Sequence, residues 1–140
     1  EILRCLVGSE MCIRDSDIII DITAPDVIQE IWEKGISVDG YDANLYRQDF
    51  AGAWIARDKY GNTESMLGWE IDHVYPTAKG GDNHFINLRP MNWQNNRSKG
   101  DDFPDYLAVV TSEKSVNIQT EANYTVNQKL VEELKKLYEL

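Results

Sequence analysis

The run Glu70-Ile71-Asp72-His73-Val74-Tyr75-Pro76 sets a carboxylate beside an imidazole. Asn87 lies 14 residues beyond His73, Asn96 lies 23 beyond and Lys99 lies 26 beyond. An imidazole can accept a proton from water near neutral pH, so His73 is a candidate for activating one. A carboxylate offers hard oxygen to a divalent cation. Asp72 is therefore the candidate ligand, with the amide oxygen of Asn96 completing the oxygen-rich side. The other coordination positions would stay open for a phosphate and waters, as a catalytic Mg²⁺ site requires. Asn87 can orient the imidazole by accepting from its other nitrogen, directly or through the loop. Lys99, one helical turn after Asn96, is placed to touch a phosphate.

These side chains need particular elements beneath them. Neighbours on a strand point to opposite faces, so Asp72 and His73 can share a site only where the strand ends and twists. Trp69, Ile71 and Val74 predict that strand, and Phe50–Tyr60, with Trp54 and Ile55, predicts another that exits at Gly61-Asn62. Lys79-Gly80-Gly81-Asp82-Asn83 predicts a loop. Leu88, Met91, Asn92, Asn95, Asn96 and Lys99 follow helical spacing, with Gly100 as the stop. Upstream, Thr23-Ala24-Pro25-Asp26 predicts a hydroxyl-capped helix whose apolar face is Val27, Ile28, Ile31 and Trp32. Downstream, Leu107–Val110 and Val116–Ile118 predict a weak hairpin. The capping box Thr125-Val126-Asn127-Gln128 then opens an amphipathic helix striped by Leu130, Leu134 and Leu137. Trp54, Trp69, Leu88, Met91 and Trp93 are the expected core. His84 is expected on the solvated surface.

Together these residues resemble the HNH endonuclease family, with its ββα-metal fold. The resemblance spans about Arg47 to Pro104. It rests on the Asp-His pair, the following proline, the Gly-Gly loop, Asn87-Leu88 and the Asn-x-x-Lys of Asn96 and Lys99. It implies metal-dependent hydrolysis of phosphodiester bonds, most often in DNA, leaving 5′-phosphate and 3′-hydroxyl ends. By it, His73 is the general base, Asp72 and Asn96 are the metal ligands, and Asn87 is the orienting middle residue. Many members also carry two Cys-x-x-Cys pairs around a structural zinc. Here the second pair would fall at Asn92 and Asn95, whose neutral amides are poor zinc ligands, so no structural zinc is expected.

The charge balance looks hostile to nucleic acid: 14 Lys+Arg against 24 Asp+Glu give a net charge of -10 over 140 residues. Yet between His73 and Lys99 the basic residues Lys79, Arg89, Arg97 and Lys99 face Asp82 alone. That window carries +3, so the rest carries -13. Lys79, Arg89, Arg97 and Arg57 are the candidate contacts to a nucleic-acid backbone. Hydrophobic residues at 42% fit a globular core, and no apolar run approaches the roughly 18 residues of a membrane span.

Residues 1–16 include CLVGSEMCIRDS, which resembles the translation of a sequencing-adapter read-through and is expected to be a non-native scar. It holds both cysteines, Cys5 and Cys12. The expected organisation is α+β. Residues 17–46 form an N-terminal helix and loop, 47–104 the HNH core, and 105–140 a short hairpin and C-terminal helix. The expected activity is a cytoplasmic endonuclease on double-stranded DNA using one Mg²⁺ or Mn²⁺. A non-catalytic nucleic-acid-binding module, or an acidic partner of a basic protein, are the competing readings.

Overall fold

A computed structural model describes residues 19–140 and, before them, the backbone of two short strands, β1 (Leu3–Cys5) and β2 (Cys12–Arg14). The side chains of both cysteines, and the proposed scar apart from those two strands, lie outside the described residues. Then come α1 (Pro25–Trp32), β3 (Tyr46–Gln48), β4 (Trp54–Ala56), β5 (Trp69–His73), β6 (Leu88–Asn92) and α2 (Trp93–Lys99). The chain ends with β7 (Asp105–Glu113), β8 (Val116–Thr125) and α3 (Gln128–Leu137). The strands pair as antiparallel two-stranded sheets, β1–β2, β3–β4, β5–β6 and β7–β8. The architecture is α+β. No described helix is long and apolar enough to cross a membrane.

Several local expectations shift. Pro25 and Asp26 do open α1, but its cap is Ala24, and the Thr23 hydroxyl turns to Asp21 Oδ1 at 2.6 Å. Leu88–Asn92 is strand rather than helix, because it is claimed by β5 in the register Trp69↔Asn92 through His73↔Leu88. Pairing with a buried strand outweighs a helical spacing of side chains. The helix begins only at Trp93, where Asn92 Oδ1 accepts from the Gln94 backbone N–H. The weak hairpin is in fact two long strands with a bulge between Ala108 and Val110. β8 runs through Thr125, so the cap of α3 moves to Asn127, which accepts from Lys129 and Leu130.

The core has two centres. Trp32, Ile55 and Trp69 pack together, with Trp32 and Trp69 rings 5.4 Å apart. Val74, Tyr75, Met91, Tyr106, Ala108 and Leu134 form the larger cluster that seats the hairpin and α3 on the β5–β6 unit. Of the expected core, Trp54, Trp69, Leu88 and Met91 are buried, while Trp93 is half-buried and donates its indole N–H to Ser65 O.

Asn92 and Asn95, the positions the resemblance would give to zinc-binding cysteines, are fully buried and committed to hydrogen bonds. Asn95 donates to Asp49 and Val110 O and accepts from the Val109 and Val110 backbone. Asn92 donates to Met66 O, and its backbone N–H reaches Asp49 Oδ2 at 3.0 Å. Stability here comes from burial and this amide network. Incubation with excess EDTA should therefore leave the thermal unfolding midpoint unchanged, and a lowered midpoint would overturn that account.

Candidate active site

β5 delivers His73 at its last position, and the loop to β6 is held against it from both ends. Asn87 Oδ1 accepts from Tyr75 N at 2.7 Å, while its Nδ2 donates to Tyr75 O and Asp82 O, each at 3.1 Å. Asn87 thus bonds the backbone of the loop and not the imidazole itself. The return of the chain requires glycine: a Cβ at Gly81 would lie 1.8 Å from Tyr75 O. The loop then brings Asn83 Oδ1 to 2.8 Å from His73 Nε2. With the amide oxygen on this side, the contact corresponds to the tautomer that carries the proton on Nε2 and the lone pair on Nδ1. Sequence reading missed Asn83. Its only signal was a polar side chain in the loop that must pass the imidazole.

The face between β5 and α2 is a ladder with two rungs. Glu70 and Asp72 alternate onto one side of the strand, and Asn96 and Lys99 lie a turn apart on the helix. Asn96 Nδ2 donates to Glu70 Oε1 at 3.1 Å, and Arg97 Nη2 joins Glu70 Oε2 at 3.0 Å. Deeper in, Asp72 Oδ1 meets Lys99 Nζ at 3.2 Å, and Asp72 Oδ2 accepts from Arg89 Nε at 2.9 Å. Lys99 Nζ also donates to the carbonyls of His73 and Val74 at 3.1 and 3.2 Å. The expected Asp72–Asn96 pairing is therefore displaced by one rung, and Glu70 is the carboxylate that touches Asn96.

Two expectations about cations are corrected. Lys99 is 1% and Arg89 5% exposed, so neither lies on the surface where a phosphate backbone could reach it. The buried Asp72 carboxylate draws both inward. Burial pushes the Lys99 ammonium below its ordinary range, and Asp72 opposes that shift. Lys79 is exposed and Arg97 largely so, and both remain available to a polyanion. Arg57 is half-buried, with Nε on Gln29 Oε1 at 2.7 Å and its guanidinium over the Trp69 ring.

His84 is not merely solvated. Its Nδ1 lies 2.5 Å from Asp82 Oδ1, and its ring meets Tyr138 edge-on. Tyr138 donates to the same carboxylate at 2.7 Å and stacks on Tyr75, so α3 is pinned to the loop that carries Asn83. Desolvation alone would raise the Asp82 carboxyl, but hydrogen bonds from His84 and Tyr138 outweigh it and hold it low.

Residues 58–105, about a third of the chain, match the family model described as HNH endonuclease. Over this segment the chain is similar to the HNH endonuclease family. No curated protein and no solved structure matches the chain. The HNH segment contains β5, β6, α2 and every side chain of the ladder. The similarity suggests nuclease or other nucleic-acid chemistry.

The donor set in the HNH segment suits a hard cation. Glu70 is partly exposed and in contact with Asn96, whose amide presents oxygen instead of nitrogen after a half turn. Asp72 already gives an oxygen to each of two cations, so it could join only by sharing them. Among the described residues no three His, Cys, Asp or Glu side chains converge on one point.

Two tests follow from this geometry. Asp72→Asn would leave Arg89 and Lys99 facing a neutral amide, and should cost about 3–5 kcal/mol of stability in urea unfolding. A loss of under about 1 kcal/mol, the range of exposed ion pairs, would overturn the buried-anchor role. Burial beside Asp82 pushes Tyr138 up to about 12, against about 10 in an unfolded chain. As pH rises, the unfolded state loses this proton first, so stability falls across the window from about 10 to about 12. The parent chain should lose more stability there than Tyr138→Phe, and equal losses would remove Tyr138 as the cause.

Proposed function

We propose that the protein is a metal-dependent HNH endonuclease that hydrolyses phosphodiester bonds in double-stranded DNA, with β5, β6 and α2 as its ββα-metal unit. The observation carrying this reading is the His73–Asn83 contact within the family segment. A binding module has no need of an imidazole held in one orientation, whereas a general base does.

His73 Nδ1 takes the proton from the attacking water, and the resulting imidazolium keeps its Nε2–H on Asn83. Asn87 holds the loop so that this contact survives the change of charge. Asn96 and the β5 carboxylates, Glu70 at the outer rung and Asp72 sharing its cations at the inner one, would hold the divalent ion. When bound, that ion supplies Lewis-acid neutralisation of charge developing on the phosphoryl oxygens. Lys99 acts as a positioning residue, since it grips the His73 and Val74 carbonyls from α2 and fixes the strand end relative to Asn96. Lys79 and Arg97 offer the cationic approach, in a chain whose remainder repels DNA, so cleavage should weaken steeply with salt.

Supercoiled plasmid with Mg²⁺ or Mn²⁺ should be nicked by the parent chain. His73→Ala should slow nicking by roughly 10²- to 10⁴-fold, the span of a lost general base. Equal rates for the two proteins sink the assignment.

A further inference from the structure

Behind the ladder, away from Glu70 and Asn96, lies a cavity of about 570 Å³. This volume falls within the roughly 300–1,000 Å³ of ordinary small-molecule sites. Val74, Ile86, Leu88 and Leu130 give it an apolar wall, and Thr125 and Asn127 add polar groups. Arg89 also lines it. The guanidinium is sandwiched by Phe50 and Tyr106, whose ring centres lie 5.3 and 5.4 Å from it. Its Nη2 is buried and has no hydrogen-bond partner among the described residues.

The reason for that orphan donor is visible in the ladder. A carboxylate facing arginine side-on can accept from Nε and Nη2 together. Here Asp72 Oδ2 takes Nε, and Oδ1 is turned to Lys99. The fork is left half used. Buried polar groups are almost always paired, and a charged donor left unpaired is costly. Two cations share a single carboxylate at this point. An excess of positive charge in a poorly hydrated place calls for an anion.

We propose that this cavity binds a small organic anion: a carboxylate or phosphate head at the Arg89 guanidinium, carried by a flat apolar body that lies along the aromatic and aliphatic walls. The site is independent of the nuclease reading and stands if that reading fails. Because one guanidinium serves both the occupant and Asp72, the ligand would sit one side chain away from the strand end that carries His73.

The test is an amide NMR titration of the full chain, without added metal. The probes are 2-naphthoate, its neutral analogue 2-naphthamide, and thymidine 5′-monophosphate. Naphthoate should shift the amides of Tyr106 and Asn127, and naphthamide should bind roughly tenfold or more weakly, the share of a charge-assisted hydrogen bond. Thymidine 5′-monophosphate moving the same amides supports a nucleotide as the source of the anion. If it moves only His73 and Asn96 while naphthoate keeps to the cavity, an organic acid is supported instead. Arg89→Met should level acid and amide. Should that variant not fold, Leu130→Trp fills the cavity without touching the Arg89–Asp72 pair and should weaken naphthoate at least as much. Equal affinity for acid and amide overturns the proposal. So do shifts that spare Tyr106 and Asn127, or binding unaltered by Leu130→Trp.

Discussion

Asp72 is a carboxylate at 2% exposure, held between Arg89 and Lys99, and much of the site's geometry descends from it. Removing a charge from water costs several kcal/mol per ion, and the cost is offset only where the partners and further hydrogen bonds are well placed. Here the three residues come from β5, β6 and α2, so meeting that electrostatic demand joins the three elements of the unit. Lys99 completes its coordination on the carbonyls of His73 and Val74. The end of β5 is therefore fixed to the C-terminal turn of α2 by charge rather than by apolar packing. That gives the imidazole a rigid base while its ring stays partly exposed.

A second layer of constraint orients the imidazole. Asn87 staples both ends of the loop, Gly81 lets it pass close to Tyr75, and Tyr138 on the turn after α3 grips Asp82. Asn83 rides on that loop, and its side-chain amide lies 2.8 Å from His73 Nε2. The C-terminal helix thus bears on the site without supplying a reacting group. Its path of influence is a stacked aromatic pair and one shared carboxylate.

What was legible in the sequence was the first strand, the loop and the helix within the 31 consecutive residues Trp69 to Lys99, whereas β6 was read as the start of that helix. Spacing alone placed His73, Asn87 and Asn96. The phase of the ladder was not legible. Strand alternation puts Glu70 and Asp72 on one side, and helical periodicity puts Asn96 and Lys99 on one side, but neither says which faces which. One rung of displacement exchanged their partners. The basic residues show the same gap: composition reveals charge, while only the fold reveals that Arg89 and Lys99 neutralise a buried acid instead of meeting a polyanion. The caps failed for a related reason. Thr125 has the right chemistry, yet β8 needs its backbone, and the next competent oxygen, on Asn127, takes over.

The absence of thiolates at positions 92 and 95 poses a physical problem, since two buried amides cannot replace a metal by themselves. Asp49 completes the answer. It is fully buried, and burial raises its carboxyl while donors from Asn95, Ala53, Asn92 and Ala51 oppose the shift. Asn117 reaches in from β8, accepting from Trp54 N and donating to Trp54 O and Met66 O, the same carbonyls that Asn92 addresses. A tetrahedral ion gathers four ligands at one point. This network instead spreads its bonds along the backbone of β4, β7 and the β6–α2 junction. The hairpin is consequently part of what holds α2 in place, through Asn95 on Val109 and Val110. A zinc knuckle would have fixed the helix locally, whereas the amide network does so only with the C-terminal hairpin present.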